Sequence, residues 1–336
     1  MIEQPLPTAA TTVAELFDDA CPIVAEMFDA VCYARREAHD GELEEDWRSG
    51  RPPEAEFDLQ CGGPVLLKRG LGLRLELHIR RMRRLDQGPR MTDHQVIDFK
   101  DDLLSLLHEL IHALGPGNAT IAEEDWWTAH RYPHAKVAAE GTTELATQLF
   151  IDDFIRALGL DQIEPRLLDA PLRERPYPSE TAAMRQLLSH VSARTRVVLP
   201  ADRIAGDDLD PEEARLRAEV RDMVGAGTGD RPMMLMIHRF MGAESLDLLN
   251  RPGYPAAFAA ISRRIDAALD TIGADPRLRS SPDVVATIMS RTLNEIEDTV
   301  TRYQNLIGPH PELRSGPDRS FRGRRQPVAP PEREVG

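Results

Sequence analysis

The sequence predicts an α+β protein in which a small antiparallel sheet packs beside helices and the C-terminal part is mainly helical. Two observations predict this class. One run near residue 75 alternates apolar and polar side chains with the period of a strand, and most of the chain beyond residue 176 repeats its apolar residues at helical spacing. Apolar residues make up 41% of the 336 residues, which is enough to bury a core around such elements.

The N-terminal segment, residues 1–60, is predicted to contain one helix and a loop. Residues 12–38 repeat Val, Leu and Phe at helical spacing, whereas residues 39–60 are polar, acidic and contain proline. The first 20 residues carry acids where a signal peptide needs basic residues, and no run approaches the roughly 20 apolar residues of a membrane span. We therefore expect a cytoplasmic protein that does not contact a membrane.

Residues 71–79 carry the clearest strand pattern. Five apolar side chains, from Leu71 to Ile79, alternate with small or polar ones, and a period of two places all five on one face of a sheet. The apolar run at 64–68 precedes it, with a turn at Arg69-Gly70. Together the two runs predict an antiparallel hairpin.

The remaining elements are predicted to be helices. One begins at Thr92, where Thr92 and Gln95 fit a capping box, or nearer Asp101, and it ends at Gly115. Another covers about 139–158. The helical segments beyond it are 179–198, 211–224, 232–249, 255–272 and 282–306.

Four regions follow from these elements. A helical segment and loop occupy 1–60, the main body occupies 61–200, and a helical C-terminal subdomain occupies 201–309, with the break between these two at 199–210. Residues 310–336 are rich in proline and arginine and poor in apolar side chains, so they are predicted to form a disordered tail.

The predicted helix before Gly115 contains the pattern His-Glu-x-x-His at His108, Glu109 and His112. Residues four apart lie one above the other on a helix, so both imidazoles can reach one metal ion and Glu109 lies beside them. The leucines of this helix cluster on its opposite side, which predicts that the polar group is presented together. An amphipathic helix also produces this pattern by chance, so the pattern alone is a moderate signal.

A catalytic zinc ion usually needs a third protein ligand. The segment Glu140-Gly141-Thr142-Thr143-Glu144 offers two candidates, and both glutamates would share one helix face. Two carboxylates that point the same way repel each other unless a cation or a proton donor lies between them. From the residues alone, either glutamate can be the ligand.

Together the two segments resemble the gluzincin branch of the zincin metallopeptidases. Those proteins carry His-Glu-x-x-His on one helix and a glutamate ligand on a second helix, with an acid one turn later. The resemblance covers only about residues 103–150. It implies a zincin-like catalytic core at 61–200 and one zinc ion per chain, bound by His108, His112 and Glu140. Glu144 would accept a hydrogen bond from a ligand histidine.

Two other zincin patterns compete with this assignment. Metzincins place a third histidine ligand where this chain has Asn118, and a neutral amide is a poor zinc ligand. Aspzincins use Gly-Thr-x-x-Asp, which is close to Gly141-Thr142-Thr143-Glu144 and would make Glu144 the ligand. We favour Glu140.

The resemblance implies a zinc-dependent metallopeptidase that hydrolyses peptide bonds, with Glu109 as general base. Four residues are candidates for the donor that stabilises the oxyanion: Tyr132, His134, Tyr177 and His190. The alternatives are a non-catalytic zincin-like protein that binds or regulates, and a zinc-dependent hydrolase of a non-peptide amide. The resemblance also implies a peptide or protein substrate as the partner. A nucleic-acid partner is not expected, because a net charge of −15 would repel its phosphates.

Overall fold

The computed structural model describes residues 13–32, 58–60, 64–66, 71–83, 90–115, 132–173, 176–194, 210–227, 231–242, 251 and 253–307. Most of these residues are helical. The predicted tail at 310–336, most of the predicted loop at 39–60 and nearly all of the predicted break at 199–210 lie outside these ranges.

The helices of the described residues are numbered here in chain order. They are α1 (Val13–Met27), α2 (Leu71–Arg83), α3 (Asp93–His112), α4 (Pro133–Ala157), α5 (Leu160–Ile163), α6 (Arg166–Asp169), α7 (Pro178–Arg194), α8 (Pro211–Gly225), α9 (Arg231–Phe240), α10 (Tyr254–Ala274) and α11 (Pro282–Ile307). A single 3₁₀ turn, Pro276–Leu278, separates the last two.

The predicted α+β class, with the small antiparallel sheet of a zincin-like core, is wrong, because the described residues are almost entirely helical. Their strands form only two short antiparallel pairs. One joins β1 (Val31–Cys32) to β4 (Leu114–Gly115), and the other joins β2 (Asp58–Gln60) to β3 (Pro64–Leu66). The apolar run at 64–68 thus begins with a strand, but that strand pairs with the segment before it in the chain.

Residues 71–79, predicted to be a strand, lie in helix α2. Leu71, Leu75, Ile79 and Met82 are buried, which is helical spacing, whereas Leu77 of the alternating set is 41% exposed. Leu, Arg, Glu and Met, which dominate α2, are strong helix formers, and only Ile79 is β-branched. Three of the alternating apolar residues, Leu71, Leu75 and Ile79, are therefore also at helical spacing. The amino-acid composition of the segment favours a helix as well.

The five helices predicted beyond residue 176 are confirmed as α7 to α11, with shifts at some ends. The capping box of α3 is also confirmed. Thr92 Oγ1 accepts from the backbone N–H of Gln95, and Gln95 Oε1 accepts from the backbone N–H of Thr92. This box fixes where α3 begins. The start of the helix in turn determines where the two histidines lie near its other end.

Helix α4 lies at the centre of the described helices. It packs against α3, α7, α8 and α10, and its middle turns are buried on nearly every side. A helix in such a position usually carries apolar residues all round. Here the buried positions include Glu140 and Glu144, so both carboxylates face neighbouring helices instead of solvent.

One continuous cluster of buried apolar residues runs from Leu16 in α1 to Tyr303 in α11. Helix α10 packs on α4, and α11 packs on α7. The C-terminal helices therefore share a core with the helices that carry the histidines and glutamates. Among the described helices, none combines the length and the apolar character that a membrane crossing requires.

Candidate metal centre

Three predicted ligands lie together between α3 and α4. The Nε2 atoms of His108 and His112 are 3.1 Å apart, and Glu140 Oε2 lies 3.3 Å from the first and 3.4 Å from the second. His108 and Glu140 are only 6% and 8% exposed. The three side chains form a buried group whose ligand atoms all face one point, and this group could hold a metal ion.

The spacing of these atoms fits a metal ion. In a tetrahedral site with bonds of about 2.0–2.1 Å, the ligand atoms lie about 3.3–3.4 Å from one another. The three observed separations, 3.1, 3.3 and 3.4 Å, are close to this value. Two imidazole nitrogens and one carboxylate oxygen are also a donor set that divalent transition metals accept.

The backbone near Gly141 explains how the elements around the group approach each other so closely. A Cβ atom placed on Gly141 would lie 2.4 Å from the carbonyl oxygen of Glu180 and 2.8 Å from Met184 Cγ. Only a glycine therefore allows the first turns of α7 to lie against α4 at this point. The contact is one residue from Glu140, and it brings Tyr177, which immediately precedes α7, to the group.

A second set of side chains holds the histidines in orientation. Glu144 Oε2 lies 3.2 Å from His108 Nδ1, and Gln148 Nε2 donates a hydrogen bond of 3.0 Å to Glu144 Oε1. Thr143 Oγ1 lies 3.5 Å from His112 Nδ1. Because the Nδ1 atoms face these partners, the Nε2 atoms are left to face Glu140.

The group and its surroundings carry an excess of negative charge, because Glu140 and Glu144 are buried there and the charge of Glu109 also acts on it. Burial alone would lower the pKa of His108, but its contacts with Glu140 and Glu144 and the charge of Glu109 raise that pKa to about 9. In the metal-free protein a proton on His108 therefore balances part of the negative charge. A bound cation would replace this proton and balance the carboxylates more completely.

Tyr177 is the predicted oxyanion donor that lies closest to the ligand group. Its ring is stacked on the His108 ring, with centroids 5.8 Å apart and planes 12° from parallel. Burial raises the pKa of Tyr177 to about 12, and the charges of Glu140 and Glu109 and a hydrogen bond with Glu140 add to this effect. The phenol is therefore protonated at neutral pH and can donate a hydrogen bond.

Glu109 lies beside the three ligand atoms and is not one of them. It is half-buried, and its charge raises the pKa of both His108 and Tyr177. Its carboxylate is therefore within electrostatic reach of the ligand group and of the phenol.

The other three candidates for the oxyanion donor make their contacts with other parts of the protein. His190 pairs with Glu297 of α11. His134, in the first turn of α4, pairs with Asp270 of α10 at 2.9 Å and lines a cavity that His112 also lines. Tyr132 is half exposed and stacks on His134. Asn118, the metzincin position, is outside the described residues.

Three residues that contribute to the group were not identified from the sequence: Gly141, Thr143 and Gln148. Two of them had a usable signal. Thr143 is three residues after Glu140 and Gln148 is four residues after Glu144, and this spacing places each on the same helix face as its neighbour. Gly141 had none, because the α7 backbone that requires a glycine is about 40 residues away.

Comparisons of the chain with protein-family models, with curated protein sequences and with solved structures found no match.

Proposed function

We propose that the chain is a zinc-dependent metallopeptidase, with His108, His112 and Glu140 as the zinc ligands and Glu109 as the general base. One observation carries the proposal: a buried triangle of two imidazole nitrogens and a carboxylate oxygen with an acid beside it that is not part of the triangle. A purely structural zinc site usually has four protein ligands, whereas a catalytic one has three and an open position.

Each residue has a separate role in this proposal. Zinc bound there would supply Lewis acidity, which lowers the pKa of a water molecule toward neutral. Glu109 accepts a proton from that water and passes it to the leaving amine. Glu144 Oε2, which lies 3.2 Å from His108 Nδ1, would hold the imidazole in the orientation that its Nε2 requires.

Tyr177 is assigned the oxyanion-stabilising role. Among the four candidates it is the one whose ring stacks on a proposed ligand, and its raised pKa keeps the donor proton in place. A donor aimed at the developing negative charge is typically worth about 10²–10³-fold in rate. His134 is the nearest alternative, because it lines the same cavity as His112 and is oriented by Asp270.

Replacing Glu109 by Gln separates a peptidase from a protein that only binds metal. The amide keeps the size of the side chain but cannot accept a proton, so hydrolysis should fall by about 10²–10⁴-fold while zinc content and melting temperature stay near wild type. Zinc is measured by elemental analysis, and hydrolysis by mass spectrometry of a digested peptide library. Glu212→Gln, the same change at an exposed site on α8, is the control and should leave both unchanged.

Two results would contradict the proposal. If Glu109→Gln retains activity within a few-fold of wild type, Glu109 is not the base. If the wild-type protein binds one zinc ion per chain and cleaves no library peptide, the chain is not a peptidase. A non-peptide amide substrate or a binding role would then explain the metal better.

A further inference from the structure

A cavity of about 430 Å³ lies beside His112, and we propose that it receives one large apolar side chain of the substrate, aromatic or long and unbranched. This inference rests on the proposed peptidase function, because it places the substrate next to the proposed metal. The volume lies in the lower part of the range of about 300–1,000 Å³ that is usual for small-molecule pockets. It has room for one large side chain and is far too small for a folded partner.

The cavity borders the metal group at His112. His112 and Thr143, which lie 3.5 Å apart, both line it. Ala138, Ala139 and Thr142 of α4 also line it, on the turns that flank Glu140. A side chain in this cavity would therefore hold its own backbone near His112, and a peptide bond has to lie close to the metal for hydrolysis.

The walls are unusually rich in methionine. Five methionines line the cavity, from α7, α8 and α9: Met184, Met223, Met233, Met234 and Met236. Methionine has three rotatable bonds and a polarisable sulfur, so it adapts to apolar groups of different shape and makes favourable contacts with aromatic rings. Such walls favour a large apolar group without selecting one particular side chain.

The charged groups at the cavity disfavour acidic side chains. Asp266 lines the cavity, and Asp270 pairs with His134, which also lines it. A carboxylate entering this space would leave water for an apolar site near two acids, and both effects oppose its binding. We therefore expect Phe, Met and Leu to be preferred, Ala to be weak and Asp to be excluded.

Binding of small probes tests this preference without requiring hydrolysis. The probes are the N-acetyl amides of phenylalanine, methionine, alanine and aspartate, titrated by calorimetry into full-length, zinc-loaded Glu109→Gln protein. The phenylalanine and methionine amides should bind at least about 10-fold more tightly than the alanine amide, since apolar pockets discriminate by about 10–200-fold. The aspartate amide should show no measurable binding.

Two adjacent residues of α4 provide a matched pair of variants. Ala135 lines the cavity, whereas Lys136 is exposed and does not. Ala135→Phe should fill part of the cavity and remove the preference for phenylalanine over alanine, while Lys136→Phe should leave it unchanged. Met234→Ala, at a position that is 47% exposed, tests the same wall at less risk to folding and should reduce the preference several-fold.

Equal binding of the phenylalanine and alanine amides would overturn the proposal. So would an equal effect of Ala135→Phe and Lys136→Phe. The peptidase proposal fails separately, through the absence of hydrolysis by wild-type protein. If the wild type is inactive but the phenylalanine preference is present and is lost in Ala135→Phe, the cavity assignment is supported and the peptidase function is not.

Discussion

Glu144 shows at the scale of single residues why this centre needs several partners. Its side chain is completely buried, and a buried carboxylate without partners would be strongly destabilising. Gln148 donates to one of its oxygens, and His108 contacts the other. Glu140, by contrast, has one oxygen, Oε2, that lies within 3.4 Å of the Nε2 atoms of both histidines. The two glutamates therefore differ in their contacts, although they are four residues apart and share one face of α4.

This difference leads to a prediction for zinc affinity. Glu140→Ala removes a proposed ligand and should abolish stoichiometric zinc binding. Glu144→Ala removes only the partner of His108 Nδ1 and should weaken zinc binding by about 10–100-fold. Competition titrations with a chelating dye measure both. If Glu144→Ala loses the metal and Glu140→Ala keeps it, the aspzincin-like assignment is correct.

A second residue-scale prediction concerns Glu164 and the acid stability of the fold. Hydrogen bonds from Arg166 hold the pKa of Glu164 below its ordinary range, in spite of its burial. Arg166 also contacts Asp93 Oδ1 and the carbonyl oxygen of Met91, each at 2.8 Å, so this ion pair joins the α5–α6 turn to the start of α3.

A glutamate with a lowered pKa in the folded state stabilises the protein above its unfolded-state pKa of about 4.3, and this stability is lost as the pH falls through the folded-state value. Glu164→Gln should therefore lower the melting temperature at pH 7 and flatten its decline below about pH 4.3. Melting curves from pH 7 to pH 2.5 measure this. Parallel declines in wild type and variant would contradict it.

At the scale of elements, the contact between α4 and α7 sets the geometry of the centre. Gly141 allows the α7 backbone to lie against α4, and Tyr177 reaches His108 because α7 begins there. Alanine is ordinarily the better helix former by about 1 kcal/mol. In this helix the space for its Cβ is already occupied by the backbone of Glu180.

Gly141→Ala should therefore destabilise the protein by about 1–3 kcal/mol, as overpacking of a close contact does. It should also lower activity more than zinc content, because it displaces Tyr177 and leaves the three ligands on their helices. Gly273→Ala is the graded control. Its Cβ would lie 3.0 Å from Val137 Cγ2 and 3.2 Å from the carbonyl oxygen of Pro133, which is less close than the 2.4 Å contact at Gly141, so its cost should be smaller. Denaturant unfolding gives both values, and equal costs would contradict this explanation.

At the scale of the whole molecule, the proposed metal joins two helices of one continuous core. His108 and His112 lie on α3, Glu140 lies on α4, and α10 packs against α4 from the C-terminal part of the chain. A ligand that binds only the folded state stabilises all of it by mass action. Metal binding should therefore raise the stability of the described helices together.

Removal of zinc by a chelator should lower the melting temperature by roughly 5–10 °C. This follows from about 2.7 kcal/mol at a zinc concentration 100 times the dissociation constant, and from about 2–4 °C per kcal/mol for a folded unit of about 150–250 residues, a range that includes the described helices and turns. Calorimetry with and without chelator measures the shift. Glu140→Ala is the control, because its melting temperature should not respond to the chelator. An equal response in that variant would show that the metal acts elsewhere.

The sequence alone was sufficient where the deciding interactions are local. The four-residue spacing of His108 and His112 places them on one helix face, and Thr92 with Gln95 marks the start of that helix, because both effects act within one or two turns. The helices from α7 to α11 were predicted for the same reason, since their apolar periodicity persists over many residues.

The fold class and the surroundings of the metal group depended on the tertiary structure. Residues 71–79 alternate like a strand, yet α2 packs against α1 and α3 with Leu71, Leu75 and Ile79 buried. Which of two possible faces is buried depends on neighbours that are distant in sequence. The contact of Tyr177 with His108, the methionine walls of the cavity and the requirement for Gly141 depend on such neighbours too. Each joins helices separated by tens of residues, so no local pattern could encode it.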